Sequence, residues 1–287
     1  MSEARVRTGG RRSAVASVVA GALLVACGGG GFDGDPYDTV VDAASNSLEL
    51  PLAVDVDVQV DADRLAELMR MTGDADAAAG FAMLGGGPMD LAVELTVAEN
   101  GLHASLAHDG ETIGAFHLED GQPPLVRIAD EASRALPMLS FARGFAPELF
   151  TGAWVELQGA PPLALTDLEA ELAAVRSDMA ASPRAEVESQ FRIVHVEDDR
   201  DGWRFEVTPG PDVTDVPDGI GFDVWVDDDQ LSRVLLDVGP FAAMDEPQLS
   251  TEDLTGVAVV DVTRASRNLP PRPVAESTAD LDRIGGF

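Results

Sequence analysis

Lysine is absent from this 287-residue chain, whose 19 basic residues are all arginine and face 51 acidic ones. The formal net charge is −32, so phosphate backbones repel the chain and most nucleic-acid roles are excluded. Cysteine occurs once, which rules out an intramolecular disulfide framework and any multi-cysteine zinc or iron–sulfur site. Tyrosine also occurs once and tryptophan three times, few platforms for stacking on sugars. No G-x-S-x-G elbow, H-E-x-x-H pair or P-loop is present. Neither enzymatic activity nor a cofactor is therefore expected. What the chain does have is 45 % hydrophobic residues, enough for a packed core and too few for a polytopic membrane protein.

The first 27 residues carry a delivery signal. Arg5, Arg7, Arg11 and Arg12 precede a largely apolar run from Ala14 to Ala26, which ends at Cys27. As a helix the run is about 20 Å long, short of the ~30 Å hydrocarbon core, so it reads as an export signal and not a membrane span. Leu24, Val25 and Ala26 before Cys27 resemble the bacterial lipobox, in which small residues suit a signal peptidase and the cysteine thiol receives a diacylglycerol. The resemblance implies residues 1–26 as signal peptide, a lipid on Cys27, and attachment at the extracytoplasmic face of the cell membrane. Two acyl chains suffice as an anchor at about 0.8 kcal/mol per buried CH₂. Losing residues 1–26 removes four arginines and one glutamate and leaves a charge of −35, which holds the body off an anionic surface. Residues 27–39, with four glycines after Cys27, read as the tether.

Beyond the tether, alternation dominates. Leu50, Leu52, Val54, Val56, Val58 and Val60 share one strand face against Asp55, Asp57 and Gln59, and Leu91, Val93, Leu95 and Val97 repeat the pattern. This predicts an antiparallel sheet wet on one side. Asp109-Gly110 predicts a two-residue hairpin in which Leu106 pairs with Ile113, Ala104 with Ala115 and Leu102 with His117. Further strands are expected at Leu125–Ile128, Trp154–Leu157, Phe191–Glu197, Trp203–Thr208, Phe222–Val226, Arg233–Val238 and Val257–Val262. Helices are expected at Asp63–Met71, Asp74–Leu84, Asp130–Phe145 and Asp167–Ala180, the last opened by a Thr166/Glu169 capping box.

The lipobox, the hairpin Leu102–Leu118, the Gly152–Leu157 segment ahead of a helix, and the Phe222–Leu231 run into another strand together resemble the LppX/LprAFG-type lipoproteins of actinobacteria. More remotely they resemble the LolA/LolB lipid carriers. The resemblance implies an α+β fold over residues 40–275, a strongly curved antiparallel half-barrel with helices packed on its concave face, followed by a tail over 276–287. It also implies binding or transport of an acylated lipid or glycolipid in an apolar groove. Candidate lining residues are Leu65, Met69, Met83, Leu102, Leu106, Ile113, Leu168, Leu172 and Met179. Met and Leu at helical spacing also fill ordinary cores, so a structural or protein-interaction lipoprotein with a filled groove stays open as the alternative.

Metal chemistry finds no support in this pattern. In the expected hairpin register His103 faces away from His108 and His117, and those two lie near 20 Å apart. Glu197, Asp199, Asp201 and Gly202 imitate the start of an EF-hand loop, but Thr208 stands where a bidentate Glu is needed. The Asp227-Asp228-Asp229 run reads as an acidic turn, and His195 as a packed strand histidine.

Overall fold

The computed structural model describes residues 34–73, 79, 87–130, 132, 143, 146–159, 165–199, 202–213, 216, 220–244 and 250–280. The signal segment, Leu24, Val25, Ala26 and Cys27, the expected helix at Asp74–Leu84 with Met83, and most of the one at Asp130–Phe145 lie outside the described residues.

The chain enters through α1 (Pro36–Ser47), inside the stretch expected to be tether at its first turn. Asp35 caps this helix by accepting the Tyr37 N–H, and Pro36 supplies a first helical residue with no donor to satisfy. Alternation then builds β1 (Leu52–Asp61), followed by α2 (Ala62–Thr72), capped by Asp61 through the Arg64 N–H and closed by Gly73 in the left-handed region. From β1 the chain meanders outward through β2 (Pro88–Ala98), β3 (Gly101–His108), β4 (Glu111–Glu119), β5 (Leu125–Ile128) and β6 (Trp154–Gln158). Two helices, α3 (Leu165–Ala181) and α4 (Arg184–Gln190), carry it to the far edge. A second meander winds back through β7 (Phe191–Asp199), β8 (Gly202–Pro209), β9 (Phe222–Asp227) and β10 (Gln230–Asp237), then α5 (Thr251–Leu254) and β11 (Ala258–Arg264). β11 pairs with β1 and joins the two meanders.

Residues 265–276 then cross the sheet as a strap. The Ala265 N–H donates to Ala53 O, and the Arg267 guanidinium reaches Asp55, Thr96 Oγ1 and the carbonyls of Val54 and Leu95. The Glu276 N–H then donates to Trp154 O, and β12 (Ser277–Asp280) joins β6. Because the chain has crossed over a face instead of turning back in a hairpin, this pair is parallel. The segment expected as tail therefore contributes the edge strand.

The order is β12-β6-β5-β4-β3-β2-β1-β11-β10-β9-β8-β7, an open sheet of twelve strands with β12 and β7 as its edges. This overturns the expected half-barrel: the sheet neither closes nor wraps one set of helices, and its topology is mixed. Strand alternation reports which side of a sheet is buried, while closure depends on strand number, stagger and tilt. The apolar material is divided accordingly. Val40 and Ala43 of α1 pack on Ile193, Phe205, Val207, Val224, Val234 and Leu236 over one half of the sheet. Leu65, Leu68 and Met69 of α2 meet Leu254 and Val257 near its middle, and Met89, Ile113, Ala129 and Ala132 form a third cluster. Between these, Val56, Val58, Leu91, Val93, Val260 and Val262 remain half-buried on the same face. No helix among the described residues is long and apolar enough to cross a membrane.

Candidate functional site

A largely apolar cavity lies where β7 to β10 end. Its floor is Phe191, Val207, Phe222 and Leu236, which share the apolar face through the pairs Val207–Phe222 and Leu236–Phe222. The walls come from the β8–β9 connection, through Val213, Val216 and Ile220, and from Phe241 on the 3₁₀ turn Gly239–Met244. Backbone geometry sets these walls in place. The Gly210 N–H donates to Gln190 O at 2.7 Å and the Asp212 N–H to Ser189 O at 3.1 Å, stitching the connection to the end of α4. Gly210 lies so close to that backbone that a Cβ would stand 2.7 Å from Phe191 N. Gly221 returns the chain against β8, where a Cβ would come within 2.9 Å of Val207 O.

The chamber holds about 290 Å³, and among the described residues only Gln190 and Thr208 bring polar side chains to it. A second cavity of about 620 Å³ shares Thr208, Val213, Val216, Ile220 and Phe222 with the first and opens toward the polar face, where Glu206, Asp223 and Asp237 line it. Asp223 is paired with Arg204 at 3.0 Å, which holds the guanidinium above its usual value against the opposing effect of burial. The Asp237 carboxylate accepts the N–H groups of Gly239 and Gly256 at 3.1 and 2.6 Å.

The expected groove residues are not gathered in this chamber. Leu65 and Met69 are buried against Leu254 and Val257, as core. Ile113 is buried beside Met89, and Leu106 packs against the same cluster. Leu102 sits half-buried on β3 between Val97 and Leu118. Leu168, Leu172 and Met179 are half-buried on α3, which meets α1 and is tied to the chain just beyond it by the Arg176–Glu49 pair at 2.6 Å. The chamber itself went unread in the sequence because its residues come from four strands, an irregular connection and a 3₁₀ turn. The available signal was the Pro209-Gly210-Pro211 and Ile220-Gly221-Phe222 punctuation around an apolar pair at Val213 and Val216.

The hairpin histidines require a correction. The Asp109-Gly110 turn forms with φ of 50° and 79° and His108 pairs with Glu111, but a bulge at Leu106/Ala107 then shifts the register. Leu106 pairs with Gly114, Ala104 with Phe116, Leu102 with Leu118, and His103 comes opposite His117 on the same face. Their Nδ1 atoms are 3.4 Å apart, His117 is fully buried, and the Trp154 ring centroid lies 6.3 Å from that of His103. Burial, followed by the neighbouring His117, holds His103 below its ordinary value. His195 packs edge-on against Phe205 and meets Asp198 at 3.0 Å. Among the described residues no group of three or more His, Cys, Asp or Glu side chains is placed to hold a metal ion.

No protein family, curated protein or solved structure matches the chain. Together with the open sheet, this removes the expected membership of the LppX/LprAFG-type and LolA/LolB-like half-barrels. The resemblance rested on strand alternation and turns, which many antiparallel sheets share.

Proposed function

We propose that the chain is a non-catalytic binding protein for an acylated molecule of the cell envelope, held at the extracytoplasmic face of the membrane by a lipid on Cys27. The observation that carries the binding reading is the chamber of about 290 Å³ between Phe191, Val207, Phe222, Leu236 and Phe241. It has room for about ten water-sized groups at ~30 Å³ each. A segment of about eight methylenes entering it gains on the order of 6 kcal/mol gross, before the costs of ordering. The lining needs to supply nothing beyond apolar surface, and it supplies little else. The carrying observation for the anchor is Leu24-Val25-Ala26 before a lone cysteine.

Two measurements test the two parts. Organic extraction of the purified chain followed by mass spectrometry recovers an acylated molecule, and a fluorescent acyl probe exchanges into the same place. Val216→Trp, which fills the chamber from its wall, abolishes the uptake. Reproducible recovery of no lipid together with no probe uptake overturns the binding reading in favour of a structural or protein-interaction role. Separately, labelled palmitate incorporates into the wild-type chain and not into Cys27→Ser; equal labelling of the two overturns the anchor.

A further inference from the structure

β11 ends at Arg264, which pairs with Val54 and so shares the apolar face with Val262. Leu48, Leu52, Leu231 and Val262 line a narrow apolar crevice together with it. Three other half-buried guanidinium groups each meet a carboxylate: Arg204 with Asp223 at 3.0 Å, Arg233 with Asp261 at 2.6 Å and Arg267 with Asp55 at 2.6 Å. Arg264 does not. Its Nη1 is buried with no hydrogen-bond partner, and the side chain makes no ion pair among the described residues. Burial holds it below its ordinary value. A half-buried charge without a counter-charge is costly, and in a chain with 51 acidic side chains for 19 basic ones it is not for want of carboxylates. An orphaned donor of this kind calls for a partner from outside the chain.

The same residue lines a cavity of about 600 Å³ between the start of β1, the β9–β10 turn and the first residues of the strap. This is the opposite end of the β9–β10 hairpin from the apolar chamber. Gln230, Ser266 and Asn268 add neutral polar groups to the lining. Arg267 lines it too, but its nitrogens are committed to Asp55, Thr96 and two backbone carbonyls. Asp227 and Asp228 stand exposed at the turn and do not pair with Arg264, so water and salt screen them. They and the acidic body oppose each negative charge a ligand brings, which favours one charge over two. A planar carboxylate meets that limit and matches the guanidinium fork with two parallel N–H···O bonds. We infer that Arg264 anchors a binding site for an organic monocarboxylate, with Gln230, Ser266 and Asn268 as its neutral polar neighbours. The site is separate from the chamber and does not depend on what the chamber holds.

The test titrates propionate, octanoate, inorganic phosphate and propylammonium into the full chain carrying Val216→Trp, which fills the chamber and removes it from the outcome. Binding is followed by calorimetry and by the Arg264 Nε–H resonance in NMR. Propionate is expected to bind saturably and shift that resonance, while propylammonium does neither. Arg264→Gln weakens propionate at least tenfold, and Arg264→Lys, which keeps the charge without the fork, restores part of the loss. Octanoate binding at least tenfold more tightly than propionate identifies the acid as the end of an acyl chain, and equal affinities identify a short free acid. Phosphate binding more tightly than propionate overturns the monocarboxylate class. Absence of propionate binding, equal binding to Arg264→Gln, or saturation that leaves the Arg264 resonance unmoved overturns the site, the last without recourse to a variant at Arg264.

Discussion

His103 and His117 face each other across β3 and β4 with their Nδ1 atoms 3.4 Å apart, one ring fully buried and the other half-buried. Such a contact needs a proton on one nitrogen and a lone pair on the other, so at least one ring is neutral in the folded chain. Among the described residues His117 Nε2 is buried with no hydrogen-bond partner, and Glu119 Oε1 lies 3.5 Å away.

The pair makes stability depend on pH in a defined direction. Burial and His117 lower His103 from its ordinary value of 6.5, Arg267 acts the same way, and Glu94 opposes them. The unfolded chain therefore takes up this proton first, and stability is fully present above about pH 6.5 and falls as the pH drops through the histidine range. His103→Gln is expected to flatten the fall in melting temperature between pH 7.5 and 5.5. An unchanged slope would show that the contact carries no linkage. Asp57 contributes in the opposite sense at lower pH, because burial and the neighbouring Asp261, Asp55 and Asp90 raise its carboxyl.

Arg267 pins the strap. It donates to Asp55 Oδ1 at 2.6 Å, Thr96 Oγ1 at 3.1 Å and Val54 O at 2.7 Å, joining β1, β2 and the crossing segment. Arg267→Met is expected to cost about 2 kcal/mol in urea unfolding, less than a fully buried pair because both side chains are partly exposed. Amide exchange in β12 should accelerate more than in β1, since the strap is what delivers β12 to β6.

Gly101 clears a path for the same strap. A Cβ there would run into Leu269 Cδ2, the end of a flexible side chain, and would come within 3.0 Å of Leu118 O. Gly101→Ala is expected to cost about 1 kcal/mol, and its effect should shrink in a Leu269→Ala background. Additive losses in the double-mutant cycle would show that Leu269 does not lie over Gly101 in solution.

Ser47 closes α1 onto the sheet. Its Oγ accepts the Leu231 N–H at 2.7 Å in a buried site, beside the bulge between Leu231 and Arg233. Ser47→Ala leaves that amide without its acceptor and is expected to cost about 2 kcal/mol, read as a lower urea midpoint with an unchanged slope.

Much of this architecture was legible in local pattern. The period of two identified β1 and β2, the span Leu125–Ile128 coincides with β5, and Asp109-Gly110 marked a turn that forms with both residues at positive φ. The start of α1 was also written locally, in Asp35 as cap and Pro36 as first residue, although the glycines before it read as coil up to Asp38. Among the candidate groove residues, their apolar character was legible and their grouping was not: Leu65 and Met69 went to one cluster, Leu106 and Ile113 to another.

By itself the sequence determined the period-two alternation of single strands, a strongly acidic composition and a lone cysteine behind an apolar run, because each depends on residues near one another in the chain. Tertiary structure alone decided that the sheet stays open, that β12 runs parallel to β6, that one extra residue on β4, Ile113, turns His117 toward His103, and that a chamber forms at the ends of β7 to β10. These depend on pairings between distant segments. A bulge or a crossover changes which residues meet without changing the alternation that encodes each strand.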